Sequence, residues 1–394
     1  MSTRSVIVAG ARTPIGRFRG GFAPLRAVDL GGVAIRAAVE RAGIEPGQVE
    51  YTIMGHVIGA GAGQITARQA AIAGGIPKEI PAVTVNKVCL SGMSAIAQAD
   101  QMIRAGELDV VVAGGMESMT NAPYVLPKAR EGARLGHTPM LDAMIHDGLW
   151  CAFDDHHMGE GTDEMNAELG IAREEQDAWA ARSHHRAHAA WEEGRMSDEV
   201  VSVEVQGRTG DIVVVDRDEG IRPESSAEAL AGLPPAFSEH GTVTAGNASQ
   251  ISDGACAVVV TSVEAAGRLG LRPVAEIVAH GMSADRYPSL QTVPAIAMER
   301  ALKKSGSSAA DLELIEINEA FAAVSLHASR MLGIDEAVVN VNGGAVALGH
   351  PIGASGARIA LTLAYELRRR KASLGGAAIC GGGGQGDALV LRRL

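Results

Sequence analysis

The chain of 394 residues carries a formal net charge of −11, is 46% hydrophobic and 21% charged, and contains only 3% aromatic residues. Its length predicts two or three domains, and its composition is that of a globular protein. The negative charge and the scarcity of aromatic residues argue against a nucleic-acid partner, which requires a basic surface and stacking side chains. No apolar segment is long enough to span a membrane, so we expect a cytoplasmic protein.

Apolar strands alternate with helical patterns from residue 1 to about residue 120. In chain order, the predicted elements are the strand "SVIVAG", a helix from about Leu30 to Arg41, the strands "YTIMGHVIG" and "AVTV", a helix after Cys89, and the strand "DVVVAGGMES". This alternation is typical of a mostly parallel α/β sheet. The 49 glycines exceed the usual share and predict many tight turns or close backbone approaches.

Residues from about 121 to 248 have a different composition. They contain all three tryptophans, Trp150, Trp179 and Trp191, and charged helical stretches such as "REEQDAWAARSHHRAHAAWEEGR". Strand character returns only in "DGACAVVVTS" and "PVAEIVAHG". We therefore interpret residues 121–248 as an insertion whose charged helix faces are solvated.

Histidines and acidic residues in this insertion raise the question of a metal. The run "DDHH" at 154 to 157 is one candidate, and His184 and His188 lie one helical turn apart. Such pairs are common on polar helix faces, so we predict no metal site. The cysteines form no CxxC pair and suggest no disulfide framework; they are Cys89, Cys151, Cys256 and Cys380.

The last third of the chain repeats a pattern of the first. The segment that begins "VNKVCLSG" can be laid over the one that begins "VNVNGG", with Ser91-Gly92 matching Ser355-Gly356. Two such segments predict a duplicated α/β architecture. The predicted domains are residues 1–120 together with 249–270, residues 121–248, and residues 271–394.

Cys89 lies where the predicted strand "AVTV" gives way to a helix, and Ser91 and Gly92 predict a tight turn at that junction. Unpaired N–H groups at a helix start lower the pKa of a thiol and favour the reactive thiolate. A free cysteine is also often a small buried hydrophobe. This stretch alone leaves a nucleophile and a core residue as equal alternatives.

Three motifs of the second half also follow predicted strands, namely "EINEAF", "GHPIGASG" and "CGGGGQG". Ligands of parallel α/β sheets bind beyond the carboxyl ends of the strands. His350 is either a loop histidine or a base that takes a proton from a thiol. The glycines after Cys380 form either turns or an oxyanion hole, and Asn318 could simply cap the following helix.

A dinucleotide site is the alternative suggested by "IGAGAGQITARQ", in which glycines follow a strand and open a helix. The spacing of Gly59, Gly61 and Gly63 is GxGxG rather than GxGxxG, and the residue about 20 positions further on is the apolar Val83. We therefore do not predict a nicotinamide cofactor.

Taken together, "NxxCxSG", "NEAF", "GHPxGxSG" and "CGGGxG", with "VIVAGARTPIG" near the start, resemble the thiolase family, and within it the enzymes that transfer acetyl groups between coenzyme A thioesters. The motifs occur in the right order over nearly the whole chain. The resemblance implies two βαβαβαββ halves in a five-layered α/β/α/β/α core, with a loop domain inserted in the first half. It also implies a homo-oligomer, either a dimer or a tetramer, and a role in fatty acid metabolism.

The resemblance further implies a ping-pong Claisen mechanism, in which two acetyl-CoA give acetoacetyl-CoA and CoA, and the reverse thiolysis. Cys89 becomes acylated, His350 activates it, and Cys380 moves a proton at the α-carbon. Asn318 holds a water that, with His350, binds one thioester oxygen. The N–H groups of Cys89 and Gly382 bind the other oxygen.

No permanently bound cofactor is implied, since coenzyme A and its acyl thioesters are substrates. The resemblance places the contacts with them at a set of residues of the loop domain and its neighbours: Arg222, Ser249, Ala245, Leu149, His157, Met158 and Phe321. Gln250 and Ser252 depart from the glycine and asparagine often found after that serine, and "DDHH" precedes the expected Met-Gly. The acyl chain that the enzyme accepts is therefore less well predicted than its chemistry.

Three alternatives remain open. One is a thiolase for longer 3-ketoacyl-CoA chains. A second is a ketoacyl synthase, which uses one cysteine and two histidines; Cys380 and Asn318 stand where that class has histidines. The third is a non-catalytic acyl-CoA-binding protein with a thiolase fold, which the presence of Cys89, His350 and Cys380 argues against.

Overall fold

The computed structural model describes residues 3–132, 134–207 and 209–394. Its first part alternates strands and helices much as the sequence predicts. A buried strand alternates with a helix three times before a fourth strand follows. The elements are β1 (Ser5–Arg12), α1 (Ala27–Ala42), β2 (Tyr51–Gly55), α2 (Thr66–Ala73), β3 (Ala82–Val85), α3 (Ser91–Arg104) and β4 (Val110–Ser118).

The chain then leaves the main sheet and returns to it near residue 252. Two helices, α4 (Met158–Leu169) and α5 (Arg173–Glu192), lie in this segment. The indole of Trp179 on α5 is buried. The prediction that the charged faces of this segment are solvated is wrong around it, because Asp177 is buried and paired with the partly exposed Arg173. Short strands form three small hairpins, Tyr124–Val125 with Leu141–Asp142, Trp150–Cys151 with His156–His157, and Val203–Gln206 with Ile212–Val215.

The rest of the chain completes the first half and builds the second. The elements are β5 (Ser252–Ser262), β6 (Ala275–Ala284), α6 (Val293–Ser305), β7 (Leu314–Ile317), α7 (Ala322–Leu332), α8 (Ile352–Arg370), β8 (Leu374–Gly381) and β9 (Gln385–Arg393). Short helices also occur at Ala227–Ala231, Val263–Arg268 and Ala345–Leu348. No helix within the described ranges is both long and apolar enough to cross a membrane.

The strands follow the order β7-β8-β9-β6-β1-β5-β4-β2-β3. The prediction of a mostly parallel sheet is wrong for the sheet as a whole, because every pair from β8 to β4 along this order is antiparallel and only the outer pairs are parallel. The halves meet at β1 and β6, where Val6 pairs with Glu276 and Ile7 with Ala275. Within the first half, the third strand along the chain lies at the edge and the first lies at the junction. The second half has the same arrangement, with its first strand, β6, at the junction. Its third strand, at the edge, is reduced to Val339, which forms a single parallel bridge to Ile315 of β7.

The side chain of Asn340 explains why that third strand is so short. Its amide exchanges two hydrogen bonds of 2.8 Å with the backbone N–H and C=O of Ile317. Asn340 itself has a φ of 47°, which takes the chain out of the extended conformation. The amide therefore replaces the ladder that a longer strand would form.

Three apolar clusters fill the spaces between five layers. One lies between α1 and α2 and the first half-sheet, and another between α6 and α7 and the second half-sheet. The largest surrounds α3 and α8, which pack together between the two half-sheets. The prediction of a duplicated, five-layered α/β/α/β/α fold is confirmed.

Candidate active site

Cys89 follows a strained turn and lies two residues before the start of α3. Val88 adopts a φ of 50°, which is rare for a β-branched residue. Its N–H donates to Oδ1 of Asn86 at 3.0 Å. The prediction that Ser91 and Gly92 form the turn is wrong, because both lie within the first turn of α3.

The glycine at position 92 serves helix packing. A Cβ atom there would lie 2.8 Å from the backbone nitrogen of Ala357 on α8, closer than real Cβ contacts allow. Similarly, a Cβ at Gly356 would lie 2.5 Å from the backbone nitrogen of Met93. These two contacts bring the starts of α3 and α8 together. The loops that carry Cys89 and His350 are therefore neighbours.

The thiol of Cys89 is only 3% exposed. Burial raises its pKa to about 12, and the nearby charge of Glu117 raises it further, although the N–H groups of Cys89 and Gly382 hydrogen-bond the sulfur and lower it. The expectation that the helix start produces a low pKa is therefore wrong for the free protein, because desolvation is the larger effect. Cys89 is a protonated thiol at neutral pH.

Cys380 lies on β8 and is completely buried. It packs in a small apolar cluster that includes Phe321 and Val324. Burial raises its pKa well above the usual range, and the charge of Cys89 raises it further, so the two thiols are electrostatic neighbours. Gly383 and Gly384, which follow Gly382, have φ values of 74° and 64°, which glycine adopts without strain.

His350 is the third predicted catalytic group and is 6% exposed. Its Nδ1 atom lies 2.6 Å from Oγ of Ser355, whereas its Nε2 atom is buried without a hydrogen-bond partner. Burial lowers its pKa to about 3, and the charge of Arg358 lowers it further. The imidazole is therefore neutral at neutral pH.

Gln250 and Ser252, the two residues that depart from the thiolase pattern, hold the backbone of the His350 loop. The N–H of His350 donates to the carbonyl oxygen of Gln250 at 3.2 Å and to Oγ of Ser252 at 3.1 Å. The Gln250 amide in turn donates to the carbonyls of Gly220 and Val346 at 3.0 and 3.2 Å. Gln250 and Ser252 therefore form hydrogen bonds that help to position the His350 loop.

Asn318 follows β7, and its side-chain amide is completely buried. Neither Oδ1 nor Nδ2 has a hydrogen-bond partner. The alternative that Asn318 caps the next helix is wrong, because Phe321 is the N-cap residue of α7 and no side chain caps that end. An unpaired buried amide normally indicates a ligand or an ordered water.

A cavity of about 330 Å³ opens beside His350. Its walls are mainly apolar, and His350 and Gln250 contribute polar groups to it. Five residues predicted to contact coenzyme A line it, namely Leu149, His157, Ala245, Ser249 and Phe321. The rings of His157 and Phe237 stack at 4.6 Å, which gives one wall a flat aromatic surface. Such a cavity suits a small apolar ligand with a few polar atoms.

Two of the predicted contacts lie elsewhere. Met158 lines a neighbouring pocket of about 850 Å³, together with Val88 and Gly382. Arg222 is exposed, does not line the cavity, and donates its backbone N–H to Nδ1 of His184 at 3.1 Å. Among the described residues, no group of three or more His, Cys, Asp and Glu side chains could hold a metal ion.

Glu117 was not identified from the sequence as a site residue. It lies on β4 with no exposed surface, and its carboxylate receives the N–H groups of Val57, Ile58 and Gly353 at 3.1, 3.1 and 3.0 Å. The available signal was a carboxylate within the otherwise apolar run "VVVAGGMES". A buried charge of this kind is rare unless it is paired or has a specific role.

These features define a class of protein that combines two buried thiols, a buried amide without a partner, and a neutral imidazole that lines an apolar cavity. Residues 5–264 match the family described as "Thiolase, N-terminal domain", and residues 271–393 match "Thiolase, C-terminal domain". The chain belongs to the thiolase family. The resemblance inferred from its motifs is confirmed.

Individual relatives match over their whole length. A probable acetyl-CoA acetyltransferase of Mycolicibacterium smegmatis is 55% identical over 388 residues, which cover 98% of this chain and 100% of the relative. The acetyl-CoA acetyltransferase of Pseudomonas aeruginosa is 51% identical, with 98% and 99% covered. The crystal structure of the Bacillus anthracis acetyl-CoA acetyltransferase superposes with a TM-score of 0.97 at 41% identity, covering 100% of this chain and 99% of that one.

Proposed function

We propose that this chain is an acetyl-CoA C-acetyltransferase that converts two acetyl-CoA into acetoacetyl-CoA and CoA, and that also catalyses the reverse thiolysis. The names of relatives that are 51% and 55% identical over nearly the full chain support this activity. The observation that carries the proposal within the structure is the set of unpaired buried polar atoms, Nε2 of His350 and both amide atoms of Asn318, in a protein that also buries two interacting thiols. Groups without partners in the free protein are available to a substrate.

In the first half-reaction, the sulfur of Cys89 attacks the carbonyl carbon of acetyl-CoA. Nε2 of His350 takes the thiol proton as the carbon–sulfur bond forms, because the thiol is protonated and the imidazole neutral in the free enzyme. The tetrahedral intermediate then expels CoA, whose sulfur receives the proton back from His350. The product is an acetyl thioester on Cys89.

In the second half-reaction, Cys380 acts as a thiolate, which its raised pKa makes a strong base, and removes a proton from the methyl group of a second acetyl-CoA. The resulting carbanion attacks the acetyl group on Cys89, and the Cys89 sulfur leaves as acetoacetyl-CoA forms. The proton that Cys380 took from the methyl group passes to the Cys89 sulfur, so Cys89 returns to the thiol and Cys380 to the thiolate. One thiol stores the acyl group while the other serves as base, which is why the chemistry requires two.

Two sites stabilise the developing negative charge on oxygen. The N–H groups of Cys89 and Gly382, which already point at the Cys89 sulfur, form one oxyanion site. A water held by the amide of Asn318 forms the other, together with Nε2 of His350 in the steps in which that atom carries a proton. The lack of any protein partner for these side-chain atoms supports the second site.

Direct assay of the purified protein tests this proposal. Acetyl-CoA alone should yield CoA and acetoacetyl-CoA, and acetoacetyl-CoA with CoA should yield acetyl-CoA. A series of 3-ketoacyl-CoA substrates of increasing chain length separates this function from that of a longer-chain thiolase, which should turn over the longer substrates faster. If CoA is bound but no substrate is turned over, the chain is instead a non-catalytic acyl-CoA-binding protein.

The remaining parts of the assignment are proposals of the same kind. Residues 121–248 would form the loop domain that binds coenzyme A. The first half would consist of residues 1–120 and 249–270, and the second half of residues 271–394.

A homo-oligomer is supported by β3, an edge strand of the first half whose outer side has no partner strand among the described residues. Light scattering of the purified protein distinguishes a dimer from a tetramer. Cytoplasmic location and a role in fatty acid metabolism stay predictions.

A further inference from the structure

We propose that Glu117 is a positioning residue that fixes the loop of Cys89 relative to the loop of His350, which belong to different halves of the molecule. The proposal rests on the acyl transfer proposed above. Glu117 belongs to the first half, and its carboxylate bonds to both halves at once. It touches neither thiol through a hydrogen bond and is therefore not assigned a chemical step.

The carboxylate is fully committed to backbone groups. Its Oε2 atom accepts the N–H of Val57 at 3.1 Å and that of Gly353 at 3.0 Å, and Oε1 accepts the N–H of Ile58 at 3.1 Å. Nε2 of His56 lies 3.3 Å from Oε1. Three charge-assisted hydrogen bonds converge on a side chain with no exposed surface, so its position is fixed.

One branch leads from Glu117 to the nucleophile. The carbonyl oxygen of Val57 accepts a hydrogen bond from Nδ2 of Asn86 at 3.3 Å, and Oδ1 of Asn86 accepts the N–H of Val88 at 3.0 Å. Val88 is the residue with positive φ immediately before Cys89. A strained conformation persists only where the surroundings hold it in place, and this chain of contacts supplies that support.

The other branch leads to the base. Gly353 is the second residue of α8, His350 lies just before that helix, and Ser355, which contacts the imidazole, lies within its first turn. A Cβ atom at Gly353 would lie 2.6 Å from the carbonyl oxygen of Met116 and 2.9 Å from Oε2 of Glu117. Only glycine allows α8 to approach the carboxylate this closely.

The charge state of Glu117 gives the proposal a measurable signature. Burial raises the pKa of Glu117 to about 7, although its three backbone hydrogen bonds lower it, and the charge of Asp253 raises it further. The other titratable groups facing it are His56, whose pKa burial lowers to about 4, and the Cys89 thiol. Hydrogen bonds from three N–H groups favour the ionised form. The loops are therefore held most firmly above the pKa of Glu117.

The test is the rate of Cys89 acetylation, followed as the first-turnover release of CoA from acetyl-CoA, in wild type and in Glu117→Gln. A glutamine places an NH₂ group against at least one of the three N–H donors. We expect acetylation to slow by at least about 10-fold, with KM for acetyl-CoA kept within about 2-fold, because positioning affects the transition state more than binding. The wild-type rate should rise with pH through the Glu117 pKa, and this rise should be absent in the variant.

The matched control is Glu199→Gln. Glu199 is another buried carboxylate, which accepts a hydrogen bond from Nε of Arg12 at 2.7 Å. Its side chain contacts neither the Cys89 loop nor the His350 loop. This variant should retain the wild-type pH profile of acetylation even if its melting temperature falls. An equal loss of the pH profile in both variants would show that buried carboxylates act here only on stability.

A second variant covers the case in which Glu117→Gln fails to fold. Asn86 is exposed, so Asn86→Ala should fold, yet it removes the link between Val57 and Val88. We expect it to slow acetylation by about 10-fold. If both variants fold and are acetylated at the wild-type rate, the proposal is wrong. If Glu117→Gln does not fold, acetylation of Asn86→Ala at the wild-type rate is enough to overturn it. If the wild-type protein itself releases no CoA, the proposed function fails instead, and the two failures are thus distinguishable.

Discussion

The Nδ1 atom of His350 lies 2.6 Å from Oγ of Ser355, and that same Oγ lies 3.0 Å from the carbonyl oxygen of Pro351. A carbonyl oxygen can only accept, so the serine hydroxyl donates its single proton to Pro351 and accepts one from the imidazole. Nδ1 of His350 therefore carries the proton. The lone pair is left on Nε2, the nitrogen without a protein partner, where a base is required.

Replacement of Ser355 by alanine should therefore lower kcat by about 10-fold to 100-fold with little change in KM, because the imidazole then loses its preferred tautomer and orientation. Steady-state kinetics with acetoacetyl-CoA and CoA measure both constants. Ser329→Ala is the matched control, since the Ser329 hydroxyl also donates to a carbonyl one turn earlier, that of Ser325 at 2.6 Å, but contacts no histidine. A similar loss of kcat in both variants would contradict this role of Ser355.

The two thiols should be separable by substitution. Cys380→Ser leaves the nucleophile in place but supplies a much weaker proton acceptor and donor, so it should still take up an acetyl group from acetyl-CoA while losing most condensation and thiolysis. Cys89→Ala should lose both acetylation and turnover. Peptide mass analysis after incubation with acetyl-CoA locates the label. An acetyl group found on Cys380 alone would reverse the assignment of the two roles.

Alkylation of Cys89 by iodoacetamide should have an unusual pH dependence. Because burial raises the pKa of the thiol to about 12, the thiolate fraction of the free enzyme should keep increasing through alkaline pH. The rate at Cys89, measured by mass spectrometry, should therefore rise up to pH 10 without reaching a plateau. A plateau near pH 8 would show that the free enzyme already holds a thiolate, and the proton transfer proposed for acylation would then occur before substrate binds.

Arg222 should contribute to binding the anionic end of coenzyme A rather than to chemistry, because a chain with a net charge of −11 requires local positive charge for an anionic ligand. In Arg222→Ala we expect a higher KM for acetyl-CoA, most evident at low salt, with kcat largely retained. Arg272→Ala is a suitable control, because Arg272 is also exposed but lines a different surface pocket. A selective loss of kcat in Arg222→Ala would contradict this role.

Patterns along the chain predict the fold well where local signals are strong. Apolar runs mark β1, β4 and β5, and the duplication is visible from the Ser-Gly pairs of the two central helices. Site residues that end strands, such as Cys89 and Cys380, are also predictable, because α/β sheets bind ligands at those positions. Their spatial clustering follows from the duplicated halves.

Properties that depend on tertiary contacts could not be predicted in this way. The helix start suggests a low pKa for Cys89, but the degree of burial, which decides the pKa, is set by packing from both halves. The pairing of Asn340 with Ile317, which shortens the third strand of the second half, joins residues 23 positions apart. The bonds of Glu117 to Gly353 join residues separated by 236 positions, and no local pattern encodes them.

The central layer is formed by one helix from each half, and the reactive groups are divided in the same way, with Cys89 in the first half and His350 and Cys380 in the second. The two halves thus relate to each other as fused subunits, and the connection 263–274 supplies the partner at a high effective concentration. An engineered cleavage site at the exposed Gly270 should give two fragments that remain associated and active. Dilution of the cleaved enzyme should then reduce specific activity, whereas the intact enzyme, whose halves cannot diffuse apart, should be unaffected.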